Sequence, residues 1–523
     1  MSGVDRRLAP SGLEAVVEIG STGLRLLVAE LDGAGGFRIV DRAGKPARLG
    51  RDVFTRGSLS RASMVEAIAI LRGFRELLGG YGLKPEDARV IATSALREAT
   101  NRETFVDRVA LRTGFSIQVV EDIEENHLMY LAVQRALGDE WKVRSRGSNA
   151  LIIEVGGGST ELMLLRRGKM AAAHSIRIGT IRVDEQVRAT TGSAAWLGRF
   201  LEDHVRTTCD MLEADMALDS VRTFVAIGGD ARFAARTLAA LGADAEEEGY
   251  AVIDRVTFSA FAEELASLRP EELVNRFRLP FDEAEGIGPG LLVLKLFLDR
   301  TAADELVVPS ASIREGLLVR VALGNAADSD DEIRRQVLAS SASLGRRFRY
   351  DEEHALHVAD LALRLFDELK EEHGLGGRER LLLEAAAILH DVGSFIRSSG
   401  HHRHSEYIIQ NSEIFGLQRD DAAIVASCAR YHRKQGPSSA HATFMGLSRE
   451  DRMAVLKLSA LLRVADALDR GHTQRVRIAS VELREDSCVI RAEGALELGL
   501  ERLSLEEKGD LFEDVFGLRA VLA

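Results

Sequence analysis

Cysteine is scarce. Cys209, Cys428 and Cys488 stand far apart, and none belongs to a Cys-x-x-Cys pair. That spacing argues against a disulfide framework and a structural zinc site, and it fits a reducing compartment. Long apolar runs are also missing: no stretch approaches the roughly 18 residues a membrane helix needs. The opening segment MSGVDRRLAPSG has no apolar centre of the signal-peptide kind. The expectation is a cytoplasmic protein with no membrane partner. Basic charge is in deficit, with 68 Lys and Arg against 81 Asp and Glu, a formal charge of −13. That balance argues against a passive nucleic-acid or membrane-surface binder, and leaves a polyanion only a locally basic groove.

What is present is ample material for cores. The chain has 523 residues, 46% hydrophobic and 28% charged, which at about 150 residues per domain gives three or four domains. Residues 13–32, LEAVVEIGSTGLRLLVAELD, read as two buried strands around a Gly-Ser-Thr-Gly turn. A helix over 60–82, a strand over 88–94, a helix over 101–113 and a strand over 116–120 follow, and a long helix begins near Glu124. NALIIEVGGGSTELMLLRR, from 149 to 167, repeats the opening plan of strand, terminal Glu, Gly/Ser/Thr turn and strand. Two copies about 136 residues apart, counted from Glu18 to Glu154, imply two similar α/β lobes. From about 326 helical periodicity dominates and histidine becomes dense. The last fifty residues contain two strand-like runs, VRIASVEL and CVIRAEG, and a helix through ERLSLEEKGDLFEDVFG. No low-complexity linker separates these parts.

The two turns carry the first chemical signal. Glycines without Cβ atoms let backbone N–H groups approach an anion and permit positive φ. Gly20, Ser21 and Thr22 in one copy, and Gly156, Gly157, Gly158, Ser159 and Thr160 in the other, are candidate phosphate-binding residues. A carboxylate at each strand end, Glu18 and Glu154, is placed to hold Mg²⁺ or its waters. Two bare hairpins without a ligand are the alternative.

With these residues in view, a resemblance is clear. VVEIGSTGLRLLVAEL, IATSALREATN, EDIEENHLMYLAV, LIIEVGGGSTEL, SIRIGTIRV and VPSASIREGLL occur in the order of the exopolyphosphatase/guanosine pentaphosphate phosphatase (Ppx/GppA) family. That family lies in the actin-like ATPase superfamily, with two ribonuclease-H-like lobes. The resemblance runs through the helical region and covers essentially the whole chain. It implies Mg²⁺-assisted hydrolysis of a terminal phosphoanhydride, with Mn²⁺ as the alternative metal. The second Glu of the family's Glu-Glu pair acts as base on the attacking water; here that is Glu125, beside Glu124. Arg97 matches a phosphate-contacting arginine, and Glu161 matches an acid near metal or water. Gly228-Gly229-Asp230 matches a late glycine motif. Ser312, Arg314 and Glu315 fit an interlobe hinge. The chain departs from the family at Glu18 and Glu154, where Asp is usual, and at Thr22-Gly23, where Asn-Ser is usual.

In the helical region His354, His390, Asp391 and Asp466 have the order and spacing of an HD-type metal phosphohydrolase, and they form a second candidate metal site. His401, His402, His404 and His432 are further candidate ligands or phosphate contacts. The family resemblance instead implies a domain for dimerisation and for gripping polyphosphate. HHRH and YHRK, near Arg346, Arg347 and Arg349, would supply a basic groove.

The reading is therefore α/β: actin-like lobes over 12–136 and 137–325, an all-α HD-like domain over 326–475, and a small α+β tail over 476–523. The expected function is an exopolyphosphatase, with inorganic polyphosphate as partner and a homodimeric assembly. The alternatives are a guanosine pentaphosphate phosphohydrolase, a weakly catalytic polyphosphate or alarmone sensor, and a phosphohydrolase centred on the HD-like set.

Overall fold

Apolar runs broken by a short turn build the first hairpin, β1 (Leu13–Ile19) and β2 (Gly23–Leu31), paired antiparallel with Glu18 opposite Arg25. Ala15, Val16, Val17 and Ile19 are at most 1% exposed. Full burial of a side chain of Val or Ile size contributes about 1.5–3 kcal/mol, so this strand holds the lobe's core together. These observations come from a computed structural model. It describes residues 12–33, 35–189, 194–213, 217–240, 249–323, 327–493 and 497–523. The opening segment 1–11 and the expected boundary at 326 lie outside the described residues.

The chain divides after residue 330 into two units. In the first unit, β3 (Phe37–Pro46), β4 (Ala88–Ala92) and β5 (Ile117–Val119) complete a sheet of order β3-β2-β1-β4-β5. β3 and β2 run antiparallel to their neighbours, whereas β4 and β5 run parallel to β1.

The second lobe repeats this plan. β6 (Asn149–Val155), β7 (Thr160–Arg166), β8 (Lys169–Ile176), β9 (Val221–Ile227), β10 (Tyr250–Asp254) and β11 (Glu305–Pro309) form a sheet of order β10-β11-β9-β6-β7-β8. Its β8-β7-β6-β9-β11 core has the strand order and directions of the first sheet. The two similar α/β lobes read from the repeated turns are thus visible in both sheets.

The helix Asp122–Gly147 joins the lobes, and it breaks at Gly138, where φ is +52°. The helix Ile313–Leu323 follows β11 yet crosses back to the first lobe. There Ile313, Leu317 and Leu318 pack on Val16, Leu27 and Leu128. A Cβ on Gly316 would lie 1.8 Å from the Leu128 carbonyl oxygen, so only glycine permits this helix contact.

In the second unit the helices from residue 331 to Leu468 and the tail share one core. Tail residues Cys488, Ile490, Leu505, Phe512 and Leu522 belong to the same buried cluster as Val358, Leu389 and Leu461. β12 (Ile478–Leu483) and β13 (Ser487–Ala492) are the two strand-like runs of the sequence. The helix expected after them is two, Gly499–Lys508 and Asp510–Phe516, meeting at Gly509. A closing strand β14 (Arg519–Leu522), parallel to β13, was not legible in its four residues. Among the described residues no helix is long and apolar enough to cross a membrane.

Candidate functional site

A cleft of about 550 Å³ lies between the two lobes. The turns after β1 and β6 both reach it. Each closes on its own backbone: Gly20 N–H donates to Gly23 O at 3.0 Å, and Gly156 N–H to Ser159 O at 2.8 Å. Neither Gly20 nor Gly156, Gly157 or Gly158 has left-handed φ, so these turns use only the small size of glycine. A Cβ on Gly158 would fall 2.2 Å from the Phe54 ring, and one on Gly157 would fall 3.1 Å from Ser21 Cβ. The turns therefore also serve as the place where the lobes meet. Their hydroxyls are engaged: Ser21 with Ser94 at 3.0 Å, Thr22 with Arg25 at 3.3 Å, Ser159 with Glu161 at 2.8 Å and Thr160 with Ile178 O at 2.5 Å.

The Glu-Glu pair at the start of the helix Asp122–Gly147 is split by helical geometry, since consecutive residues point about 100° apart. Glu124 accepts from Arg320 at 2.8 Å and from Gln118 at 3.2 Å. Glu125 lines the cleft and accepts from Arg97 at 3.1 Å. The same guanidinium donates to Val120 O at 2.8 Å and pairs with Asp122. Arg97 thus clamps the start of this helix.

The two strand-end acids have different partners. Glu18 faces Arg25 at 3.6 Å and Arg314 at 3.2 Å. Glu154 stands opposite another acid, Glu161. Glu161 in turn accepts from Ser175 at 2.7 Å and Asn126 at 3.4 Å. The carboxylates that converge are Asp122, Glu125 and Glu161, with ligand oxygens within 4.8 Å of one another. Asp122 had not been singled out in the sequence.

Burial of these acids sets their protonation. It lifts Glu125 to about 7 against the opposing charge of Arg97. It lifts Glu154 to about 7, with the Glu125 charge adding to the effect. Burial likewise raises Glu161, and it raises Asp230 to about 7 while Arg232 opposes it. Carboxylic acids near neutrality in a cleft mark a site suited to proton transfer.

The sequence reading missed most of the cations. Arg25, Lys45, Arg48, Arg51, Arg232 and Arg236 line the cleft. Arg314, expected at an interlobe hinge, touches Glu18 in the cleft wall. The only available signal was the spacing of Arg25 from its turn, which places it opposite Glu18. Ion pairs that bridge the lobes include Glu98 with Arg182 at 2.5 Å and Arg51 with Glu185 at 2.8 Å.

In the second unit His354, His390 and Asp391 form one group of potential ligands, and Asp391, His401 and His432 form another. Asp466 stands 3.7 Å from His354 Nε2 and 4.0 Å from His390 Nε2. His401, His402 and His432 are buried, and burial holds His402 at about 4 and His432 at about 3. Neither adds the positive charge expected of HHRH and YHRK. Arg346 is engaged with Glu352 at 3.0 Å.

The Ppx/GppA phosphatase family profile matches residues 27–324, and that family's domain III matches 334–508. A guanosine-5'-triphosphate,3'-diphosphate pyrophosphatase of Aeromonas hydrophila is 26% identical over 501 residues, covering 92% of each chain. The Photobacterium profundum protein of that name is 24% identical, covering 89% of this chain and 88% of its own. Among solved structures, an exopolyphosphatase from Cytophaga hutchinsonii aligns with TM-score 0.53 at 17% identity, over 60% of this chain and 98% of its own. The Aquifex aeolicus Ppx/GppA family member aligns at 0.50 and 23%, with the same coverage.

Proposed function

The chain belongs to the Ppx/GppA phosphatase family, and on that premise we propose that its interlobe cleft removes the terminal phosphate of guanosine pentaphosphate, with Glu125 as general base. The family consists of phosphoanhydride-hydrolysing phosphatases, so the reaction class is given. The substrate is the proposal. Relatives matched over nearly their full length carry guanosine-5'-triphosphate,3'-diphosphate pyrophosphatase names, which favours the nucleotide over the polyphosphate expected first. The exopolyphosphatase likeness, at 17% identity, speaks to fold alone.

The observation that carries the mechanism is Glu125: lifted to about 7 by burial, tied to Arg97 and facing the cleft. A base of that strength exists as carboxylate and acid in comparable amounts near neutral pH. Water attacks the terminal phosphorus, and Glu125 takes its proton. The anhydride P–O bond breaks, inorganic phosphate leaves, and the nucleotide keeps the bridging oxygen. Arg25, Lys45 and Arg314, lining the cleft, supply the charge neutralisation such a transfer needs. Glu18, held by Arg25 and Arg314, positions those arginines. The all-oxygen donor set of Asp122 and Glu161 beside Glu125 suits a hard cation. Bound there, Mg²⁺ would neutralise phosphate charge. The meeting of His354, His390, Asp391 and Asp466 among the helices of the second unit supports the HD-like reading of that region.

Phosphate release from guanosine pentaphosphate, with long-chain polyphosphate in parallel, tests this. Glu125→Gln should lower kcat by about 10²–10⁴-fold with the melting temperature held or raised. Undiminished turnover in that variant would remove Glu125 from the mechanism. A larger kcat/KM on polyphosphate would return the substrate to the first expectation.

A further inference from the structure

We infer that the second unit carries a metal centre of its own: two divalent transition-metal ions side by side, sharing the carboxylate of Asp391. Five helix ends build it. His354 lies in the first turn of the helix Glu352–Glu368, and His390 and Asp391 end the helix Gly377–Leu389. His401 opens the helix His401–Gln410, His432 ends Arg419–Tyr431, and Asp466 lies in the last turn of Arg449–Leu468.

The imidazoles are oriented alike. His390 Nδ1 bonds Ala387 O at 2.7 Å, His401 Nδ1 bonds Ser398 O at 2.9 Å, and His432 Nδ1 bonds Ala429 O at 2.6 Å. His354 Nδ1 bonds the Asp469 carboxylate at 2.8 Å. Carbonyls and carboxylates accept only, so each Nδ1 carries the proton. A neutral ring then presents a bare Nε2 lone pair, as at His354 and His390, whereas His401 Nε2 lies within hydrogen-bonding distance of the Asp391 carboxylate, which a bound cation would replace as its partner. Outer partners of this kind fix the tautomer of a ligating histidine.

All four Nε2 atoms point at one space. His401 and His432 lie 2.8 and 3.4 Å from Asp391 Oδ1, and their Nε2 atoms are 3.3 Å apart. His390 lies 3.8 Å from the same oxygen, and His354 lies 3.7 Å from Asp466 Oδ1. A metal–nitrogen bond of about 2.1 Å sets adjacent ligand atoms roughly 3.0–3.4 Å apart, close to these spacings. His354 Nε2 and His390 Nε2 have no hydrogen-bond partner, although these side chains are 1% and 0% exposed. Bare lone pairs facing one another in a buried pocket repel, and a cation between them removes the conflict. Lys508 holds Asp466 by its other oxygen, Oδ2, which leaves Oδ1 to the cluster.

Four imidazoles and two carboxylates suit Mn²⁺, Fe²⁺ or Zn²⁺ better than Mg²⁺. This separates the centre chemically from the all-oxygen set of the cleft. Asp391, with its side chain 26% exposed, is the side open to water and solutes.

The test is metal content of the full-length chain, purified from Mn²⁺-supplemented culture and freed of loose ions by gel filtration. Mass spectrometry should find about two Mn²⁺ per chain, unchanged in Glu161→Gln, which weakens the cleft's own donors. The two ions should give an exchange-coupled electron paramagnetic resonance spectrum. His401→Gln should halve the content and leave the spectrum of an isolated ion. Asp391→Asn should lower it at least tenfold, with circular dichroism melting to verify the fold. If Asp391→Asn does not fold, His401→Gln decides. No retained ion in the wild type overturns the centre, and one ion per chain overturns the shared pair. Retention that falls with Glu161→Gln but not with Asp391→Asn assigns the metal to the cleft and also overturns it.

Discussion

Replacing Glu154 by Gln should stabilise the N-terminal unit at alkaline pH and leave it nearly unchanged at acid pH. Burial lifts Glu154 from an ordinary 4.5 to about 7, helped by the Glu125 charge and opposed by Arg232. The folded chain therefore binds this proton more tightly than the unfolded chain. A raised carboxyl leaves stability at its fullest below the unfolded value of 4.5. Stability then falls as pH rises through about 7 and is flat above. At 1.36 kcal/mol per pH unit, the interval is worth at most about 3 kcal/mol, and residual solvation brings the expectation to roughly 1–3 kcal/mol. Glutamine keeps the shape and has nothing to ionise. Urea unfolding at pH 5, 6, 7 and 8 with chelator present measures the effect. Both tryptophans, Trp141 and Trp196, precede residue 330, so intrinsic fluorescence reports on this unit alone. The variant should match the wild type at pH 5 and exceed it at pH 8. An unchanged pH slope, or a variant less stable at pH 8, would refute the claim that Glu154 is strained by its charge.

Three further outcomes follow from the same geometry. Arg97→Ala removes the cation beside Glu125 and should move the acid limb of the pH–rate profile to higher pH; Arg97→Lys should restore part of the shift, and identical profiles would count against the clamp. Gly158→Ala drives a Cβ into Phe54 and should cost about 1–3 kcal/mol, most of it recovered when Phe54→Leu is added in a double-mutant cycle. Glu18→Asp shortens the carboxylate's reach toward Arg314 by about 1 Å, and kcat/KM should fall roughly 10- to 100-fold; equal or greater activity would show that the arginine contacts are incidental.

The hairpins were legible because strand burial and turn composition are local signals. The repeated hairpin also carried the expectation of two similar α/β lobes, whereas the sheet order and the outer strands β3 and β8 had no such local signal. β14 was not legible: four residues with one buried side chain have no period to read. The two-helix ending was hidden because a single glycine separates segments of the same apolar rhythm. In the site, Glu125 could be chosen from family position, but the partner that engages Glu124, Arg320, lies nearly two hundred residues away in the chain. Asp122, Lys45, Arg232 and Arg314 meet only through long-range folding, and no spacing rule announces such meetings. The histidine cluster was legible as a set, whereas its shared orientation depends on carbonyls of the local helix turns.

The duplicated hairpin also shows why matching positions need not share a role. Glu18 and Glu154 occupy the same place in their lobes, but their cross-strand partners are Arg25 and Glu161. In the first lobe the acid meets a cation, and Arg314 adds a second. Its charge is matched before any ligand arrives. In the second lobe acid faces acid, and the excess is relieved only by protonation, a nearby arginine or an added cation. The longer arm of Glu18, relative to the usual Asp, folds back over its own turn: its Oε1 lies 3.1 Å from where a Cβ on Gly20 would be. The extra methylene is taken up against that turn, in the cleft wall. This asymmetry supports a division of labour, with Arg25, Lys45 and Arg314 receiving the phosphate chain. Glu125, Glu154 and Glu161 then form the wall against which water is deprotonated. On that view the Asp-to-Glu departures fall on opposite sides of the reaction, so Glu18→Asp should act through substrate contacts and Glu154→Gln through protonation.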